Sequence, residues 1–190
     1  MKRLLFVAIA LTYCIGTAVA EPPAGMVLYF ESGGDVYLLL AEHARGKRGW
    51  AGFGGGARAG ETLAETAAHK GEEESRGYFS RADLLEAITD QKPGMDGEFA
   101  AYFARVAFVP AQRVMNHPVP EDTDAYKERS TFAWIPNSAV ERYLQEDIDR
   151  AKSYSIDPAY LPAGSQTAWF WKAWLGNMRK AVLADALPWQ

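Results

Sequence analysis

The chain has 190 residues, of which 48% are hydrophobic and 13% aromatic, and its formal net charge is −4. This length and composition are typical of one globular domain with a sizeable core. The acidic balance argues against a general nucleic-acid binder, which is normally basic, and agrees with a site that gathers carboxylates around a hard cation.

Residues 1–20 have the layout of a cleaved secretory signal. Lys2 and Arg3 give a basic start, an uncharged stretch follows, and small residues occupy the last positions up to Ala20. We therefore expect cleavage after Ala20, a single mature domain over residues 21–190, and a periplasmic or secreted location. An uncleaved membrane anchor is the alternative, although the apolar run is short for a span, which needs about 20 residues.

The only cysteine of the chain, Cys14, lies inside this predicted signal. Its removal leaves no cysteine for a disulfide, a thiolate nucleophile or a metal thiolate. The signal also carries two bases and no acid, so the mature net charge is −4 − 2 = −6. We expect no stable membrane span in the mature domain.

The elements expected first along the mature chain are two strands in a hairpin. Residues 26–30 and 36–41 are rich in β-branched, aromatic and aliphatic side chains, and a glycine-bearing turn at 33–35 separates them. A basic loop follows at 45–48, and then a glycine-rich stretch at 52–56. These features predict a hairpin followed by a flexible glycine-rich loop before the first helix.

Helices and strands then alternate irregularly. Ser80 is a predicted helix cap, Asn137 is another, and the segment around residues 114–124 is expected to be a surface loop. The predicted elements are helices at 62–76, 81–89, 137–145 and 165–187 and strands at 99–109 and 131–135. The order β-β-loop-α-α-β-β-α-α is not that of a doubly wound sheet and indicates an α+β fold, a mixed β-sheet flanked by helices in an α-β-α sandwich.

The chemistry-bearing segment is the first predicted helix and the glycines before it. Glu61 stands just ahead of the helix, and Glu73 and Glu74 lie within it. At 100° per residue, positions 70, 73 and 74 fall on one side of the helix. Carboxylates packed so closely repel each other, and a hard cation such as Mg²⁺ would reverse that cost. The alternative is a solvated face of the helix, which is the usual role of adjacent glutamates.

Together these residues resemble the Nudix box, G-x5-E-x7-R-E-U-x-E-E-x-G-U, in which U is a bulky aliphatic residue. Gly55 and Glu61 have the spacing of the first glycine and glutamate, and Glu73 and Glu74 match the glutamate pair. The second glycine position is taken by Arg76. The resemblance extends over about residues 26–144, and it predicts the Nudix-like mixed sheet with flanking helices.

Three consecutive positions depart from the box: His69, Lys70 and Gly71 stand where it has Arg, Glu and an aliphatic residue. In the family the glutamate at this place commonly ligates metal or serves as the base. Lys70 cannot ligate Mg²⁺, and its ammonium would neutralise one of the remaining carboxylates. His69 is a weaker substitute for the arginine that holds the loop, and Gly71 is expected to leave a small packing deficit.

The resemblance implies an exported Nudix-type hydrolase that cleaves a diphosphate bond in a nucleoside-diphosphate-linked or similar small molecule. It implies Mg²⁺ or Mn²⁺ bound by Glu73, Glu74 and Glu61. Glu73, Glu74 and the downstream Glu128 would act in catalysis. The expected approach for the phosphates is formed by Gly54, Gly55 and Arg48. The alternative is a catalytically impaired Nudix-fold binding or scaffold module, in which Lys70 pairs with a glutamate and replaces the metal.

Overall fold

The computed structural model describes residues 22–119 and 124–190. The predicted signal at 1–20 and part of the acidic loop at 120–123 lie outside the described residues. Within the two described ranges, no helix is both long and apolar enough to cross a membrane.

Seven strands and five helices form the described part of the chain, with two short 3-10 turns, Ala125–Lys127 and Pro158–Tyr160. The strands are β1 (Ala24–Ser32), β2 (Asp35–His43), β3 (Trp50–Ala51), β4 (Phe53–Gly55), β5 (Gly94–Asp96), β6 (Phe99–Arg105) and β7 (Arg129–Pro136). The helices are α1 (Leu63–Glu74), α2 (Arg81–Ala87), α3 (Ala111–Met115), α4 (Asn137–Glu141) and α5 (Lys172–Leu183).

The strands form one mixed sheet in the order β3-β2-β1-β6-β5. The hairpin of β1 and β2 is antiparallel, whereas β1 and β6 run parallel. Two further strands extend the sheet outside this path, because β4 pairs with β1 and β7 pairs with β2, both antiparallel. The mixed sheet and its flanking helices confirm the predicted fold class.

Each face of the sheet carries its own hydrophobic core, because successive side chains of a strand point to opposite faces. Met26 and Leu28 of β1 pack with α1, α2 and α3 on one face. Val27 and Tyr29 pack with α4, α5 and the C-terminal residues on the other. The glutamates of the box therefore lie on the helix that covers the first of these two faces.

The C-terminal segment is built into the sheet on the second face. The indole of Trp50 donates to the carbonyl of Thr167, and the backbone of Trp50 bonds to Trp169 and Trp171. The fully buried Glu42 carboxylate accepts hydrogen bonds from two backbone amides, those of Gln166 and Thr167, and from the Thr167 hydroxyl. These contacts pack residues 165–187, the tryptophan-rich tail, on the sheet.

The hairpin and the first two helices are confirmed, but several predicted bounds are wrong. The strand predicted at 99–109 ends at Arg105. The helix α3 begins after Pro110 and its last two residues reach into the expected surface loop at 114–124. Asn137 is the first residue of α4 rather than its cap, since Pro136 takes that place. The last helix begins at Lys172, because the backbone of residues 168–171 pairs instead with Trp50 of β3 and with residues 154–156.

Candidate functional site

The start of α1 is fixed by a local hydrogen-bond exchange. The Thr62 hydroxyl accepts from the amide of Glu65, and the Glu65 carboxylate accepts from the amide of Thr62. Gly60, immediately before, has a φ of 82°, a conformation that disfavours any residue with a Cβ. This capped start holds Glu61 at the entrance of the helix.

Glu61 and Glu73 are brought together by His69, which is buried between them. The Nδ1 atom of His69 lies 3.2 Å from a Glu61 oxygen, and its Nε2 atom lies 2.8 Å from a Glu73 oxygen. The second contact is short, but its geometry is not that of a hydrogen bond, and the buried Nε2 atom has no hydrogen-bond partner. Glu61 also meets the guanidinium of Arg81 at 3.2 Å and accepts from the amide of Arg58 at 3.0 Å.

Both oxygens of Glu73 are held by basic side chains. The Lys70 ammonium lies 2.7 Å from one oxygen, and the Arg58 guanidinium lies 2.8 Å from the other. Burial acts to raise the pKa of Glu73, but the hydrogen bond and charge of Lys70, followed by those of His69, hold that pKa below its ordinary value. Glu73 is therefore a carboxylate ion whose oxygens already face cations.

Glu74 points to a different partner, the buried Arg129 at the start of β7. The guanidinium Nε and Nη2 atoms lie 2.8 and 2.7 Å from one Glu74 oxygen, and both side chains are 2% exposed. Nη2 also donates to the carbonyl of Gly52 at 3.1 Å, and the amide of Gly54 approaches the same Glu74 oxygen at 3.4 Å. Burial raises the pKa of Glu74, and Arg129 opposes that shift.

Glu128 stands apart from the other predicted glutamates. Its side chain is exposed and lines a cavity between the end of β2 and the 3-10 turn before β7. Its charge contributes to the raised pKa of Glu74, so the two carboxylates lie within electrostatic range. The next residue, Arg129, takes the position beside Glu74.

The glycines of the predicted phosphate approach are packed rather than open. A Cβ on Gly54 would lie 3.0 Å from the Cα of Gly25 on the neighbouring strand. A Cβ on Gly55 would lie 3.1 Å from the Cε of Lys70, so the lysine stem lies against this glycine. Glycine at both positions thus permits close approach of β1 and of Lys70.

The prediction of a packing deficit at Gly71 is wrong. A Cβ there would lie 2.6 Å from the Sδ of Met26 and 2.7 Å from a terminal carbon of Leu84. These two buried side chains occupy the space that the aliphatic residue of the box would take. Arg76, at the second glycine of the box, has a φ of 62°, so the backbone there keeps the left-handed conformation that favours glycine.

Sequence reasoning missed the three arginines that pair with the box, Arg58, Arg81 and Arg129. Arg58 lies in the loop before α1, Arg81 opens α2, and Arg129 opens β7. The sequence around these arginines does not mark them as partners of α1. Arg81 and Arg129 reach the glutamates through tertiary contacts between separate elements. Arg129 is 55 residues from Glu74 in sequence.

The donor set around these glutamates does not fit a magnesium ion as it is arranged. Mg²⁺ requires several oxygen ligands at about 2.1 Å in near-octahedral geometry. Position 70 supplies an ammonium, and the oxygens of Glu73 and the contacted oxygen of Glu74 face basic side chains. Across residues 22–119 and 124–190, no group of three or more His, Asp or Glu residues could hold a metal ion. The metal assignment of Glu61, Glu73 and Glu74 stays a prediction.

One protein family matches the chain: the NUDIX domain matches residues 20–155. The matched segment includes β1 to β7 and the glutamates of α1, and it stops before the tryptophan-rich tail. No curated protein matches the chain.

Two solved structures illustrate the similarity of fold. An Ap4A hydrolase from C. elegans, as a binary complex, shares 18% identity, with 59% of this chain and 77% of that chain covered and a TM-score of 0.39. A MutT/nudix family protein from Enterococcus faecalis shares 12% identity, with 68% and 47% covered and a TM-score of 0.41. This chain thus spans about half the length of the bacterial protein, and at these values neither structure bears on substrate.

Proposed function

Because this chain belongs to the Nudix family, we propose that it is a Nudix-fold binding module in which basic side chains occupy the places of a divalent ion. The observation that carries the proposal is the pairing of every predicted metal-binding glutamate with a cation. Lys70 and Arg58 meet Glu73, Arg129 meets Glu74, and Arg81 meets Glu61.

The energetics of these contacts favour internal cations over an exchangeable ion. The Glu74–Arg129 pair is fully buried, and removing one partner of such a pair leaves an uncompensated charge at a cost of about 3–5 kcal/mol. A metal ion at the Glu74 oxygen that Arg129 contacts would leave the guanidinium buried without an anion. The pair therefore keeps this oxygen of Glu74 from a metal ion, whereas the more exposed contacts of Arg58 and Lys70 with Glu73 are weaker.

The proposed ligand is a small molecule that contains a diphosphate, by the class of substrate that the family implies. The module would act outside the cytoplasm, in the periplasm or as a secreted protein, because residues 1–20 have the layout of a signal. Fractionation and mass measurement of the expressed chain test this location: a chain that begins at Glu21 is expected in the periplasm or the medium, and an intact chain found only in the cytoplasm would contradict it.

An assay of metal-dependent turnover tests the proposal. The mature chain is incubated with Mg²⁺ or Mn²⁺ and a panel of diphosphates, and released phosphate and monophosphate are measured. No turnover above the protein-free blank is expected, because Glu73 and Glu74 already face cations. Turnover that Glu73→Gln abolishes and Glu86→Gln leaves intact would overturn the proposal, since Glu86 is an exposed glutamate on α2.

A second candidate is the metal-dependent Nudix hydrolase that the box implies. The observation in its favour is that, after burial, the charge of Glu128 helps to raise the pKa of Glu74, so a third carboxylate lies within electrostatic range. Mg²⁺ or Mn²⁺ would then bind Glu73 and Glu74 after Arg58, whose side chain is 62% exposed, and Lys70 swing away. Lys70→Glu separates the candidates: a gain of turnover over an inactive wild type favours a site that lost its metal, and equal turnover in both favours the hydrolase.

A further inference from the structure

A cavity of about 720 Å³ opens at the end of β1 that is far from the box. Ala24, at the start of β1, pairs with Gly55 of the box, whereas Phe30, near its end, lines the cavity. At about 3.3 Å per residue, the strand separates these two places by about 20 Å. One wall of the cavity is the end of β1, and the opposite wall is the segment 106–108 that follows β6. The cavity is therefore separate from the glutamates of α1.

The wall that follows β6 is held by a hydrogen bond at each end. The amide of Val106 donates to the carbonyl of Tyr29 at 2.8 Å. The indole of Trp134 donates to the carbonyl of Val109 at 2.7 Å. Between these two bonds lies Phe108, whose side chain is 58% exposed. Phe108 thus presents an exposed aromatic ring from a fixed backbone.

The surface beneath Phe108 is also aromatic. The ring of Phe30 stacks on that of Tyr37, with the two centres 5.0 Å apart, and the ring of Trp134 meets it edge-on at 4.7 Å. The centre of the Phe108 ring lies 4.9 Å from that of Phe30. Aromatic rings add an attraction to each other beyond the area that they bury. The cavity therefore offers a surface that suits a large apolar or aromatic side chain.

The two charged residues that line the cavity direct their side chains to the opposite face of the sheet. Glu31 follows Phe30 in β1, and Arg105 stands in register with Tyr29, so both side chains lie on the face of Tyr29. There the carboxylate and the guanidinium pair at 3.6 Å. Burial, followed by the charge of Glu31, raises the pKa of Tyr29, and the charge of Arg105 opposes that shift, as expected for charges on this face. Charge complementarity on the aromatic face therefore requires an uncharged ligand.

The turn of the first hairpin fixes which way the backbone of β1 points. Gly33 and Gly34 have φ values of 62° and 86°, the conformation of a tight two-residue turn. The residues that flank it, Ser32 and Asp35, are partners in the ladder and exchange both of their hydrogen bonds. Ser32 and every second residue before it therefore direct their N–H and C=O groups to β2.

The backbone N–H and C=O of Glu31 point the other way, into the space that β6 leaves. Tyr29 has the same orientation, and its carbonyl accepts from Val106. The pairing of β6 with β1 ends at Arg105, opposite Tyr29. Within residues 22–119 and 124–190, neither backbone group of Glu31 has a hydrogen-bond partner. A peptide residue placed opposite Glu31 would exchange two hydrogen bonds with it, as in an antiparallel ladder.

We propose that this cavity binds an uncharged, extended peptide segment. One peptide residue pairs with the backbone of Glu31, and the side chain next to it in the peptide packs between Phe30 and Phe108. The alternation of side chains along a strand requires this division, because the residue opposite Glu31 points to the other face. The mode is the addition of a strand to a free sheet edge, with a pocket for a neighbouring side chain. The volume is within the range of small-molecule sites, which suits a segment of two or three residues.

The test is a titration of the ¹⁵N-labelled mature chain with N-acetyl-Ala-Phe-amide, followed by NMR. Saturable shifts are expected at the amides of Glu31, Val106 and Phe108, with the Glu31 proton moving downfield as its new hydrogen bond forms. N-acetyl-Ala-Ala-amide, which lacks the ring, is expected to bind at least tenfold more weakly. The free dipeptide Ala-Phe, whose ends are charged, is also expected to bind more weakly.

Two substitutions of Glu31 separate its backbone from its side chain. Glu31→Pro removes an N–H that faces the unpaired side, so the ladder with β2 keeps its bonds. It is expected to weaken the binding of N-acetyl-Ala-Phe-amide about fivefold, as for the loss of one hydrogen bond. Glu31→Gln removes only the charge and is expected to bind as the wild type does. If Glu31→Pro does not fold, an ester in place of the Ala amide gives the same test on the wild type, because the ester cannot donate to the Glu31 carbonyl.

The aromatic wall has its own matched pair of variants. Phe108→Ala is expected to weaken binding about tenfold. Leu183→Ala is the control, because Leu183 is 66% exposed, is apolar and lies on α5 away from the cavity, and it is expected to change nothing.

Four outcomes would overturn the peptide site. They are the absence of saturable shifts, equal binding of the two acetylated dipeptides, equal losses in Glu31→Pro and Glu31→Gln, and shifts at Glu31 and Phe108 that depend on protein concentration alone. The last outcome would assign the free edge to a second copy of the chain. The titration contains neither metal nor phosphate, so its result is independent of the proposed function.

Discussion

At the scale of single residues, the chain keeps Glu61, Glu73 and Glu74 of the box, and basic side chains contact their carboxylates. Lys70 lies 2.7 Å from Glu73, as the sequence-based alternative predicts from their helical spacing. Arg129 lies 2.7 Å from Glu74 in a fully buried pair that no local pattern predicts. His69 bridges Glu61 and Glu73 and so does part of what the arginine of the box would do. These glutamates therefore anchor α1 through internal ion pairs.

The buried pair makes a residue-scale prediction. Arg129→Met is expected to lower the free energy of unfolding by about 3–5 kcal/mol, because Glu74 would remain buried without its cation. Replacing both residues, as Glu74→Leu with Arg129→Met, is expected to cost much less, because no charge is left behind. Urea denaturation of the two variants and the wild type measures both values. A loss below about 1 kcal/mol for Arg129→Met would contradict the buried charge pair, since a surface pair costs that little.

At the scale of elements, the sheet and its first helices follow from the sequence. Short runs of β-branched, aromatic and aliphatic residues predict β1 and β2. The capping pair Thr62 and Glu65 fixes the start of α1. The short strands β3, β4 and β5 have two or three residues each, which is too few for a periodic signal. Their bounds are set by pairing with β2, β1 and β6. In the same way, the basic partners of the glutamates are set by tertiary contacts, which local sequence patterns do not predict.

The contact of α1 with β1 gives an element-scale prediction at Gly71. Substitution by leucine, the kind of residue that the box has there, places side-chain atoms where Met26 and Leu84 already pack. Overpacking of this kind costs about 1–3 kcal/mol, which outweighs a gain in helix propensity of about 1 kcal/mol over glycine. Thermal or urea unfolding of Gly71→Leu is expected to show a net loss of stability. Met26→Ala in the same chain is expected to restore part of it, and a more stable Gly71→Leu single variant would contradict this packing.

At the scale of the whole molecule, a Nudix domain is completed by a C-terminal segment outside the matched residues. Trp50 and Glu42 bind that segment on one face of the sheet, and the glutamates of α1 lie on the other. The segment also supplies Trp171, whose ring centre lies 5.8 Å from the guanidinium carbon of Arg48. The molecule thus combines a box whose glutamates contact basic side chains with a C-terminal segment that lies outside the matched residues.

The central claim is that basic side chains, in place of a divalent ion, neutralise the glutamates of the box. Isothermal calorimetry of the mature wild-type chain titrated with Mn²⁺ tests this claim most directly. Mn²⁺ binds the same oxygen ligands as Mg²⁺. The account predicts no saturable binding up to millimolar Mn²⁺ and no rise in melting temperature, because a ligand that does not bind the native state cannot stabilise it. Saturable binding at micromolar Mn²⁺, lost in Glu73→Gln and kept in Glu86→Gln, would contradict the account.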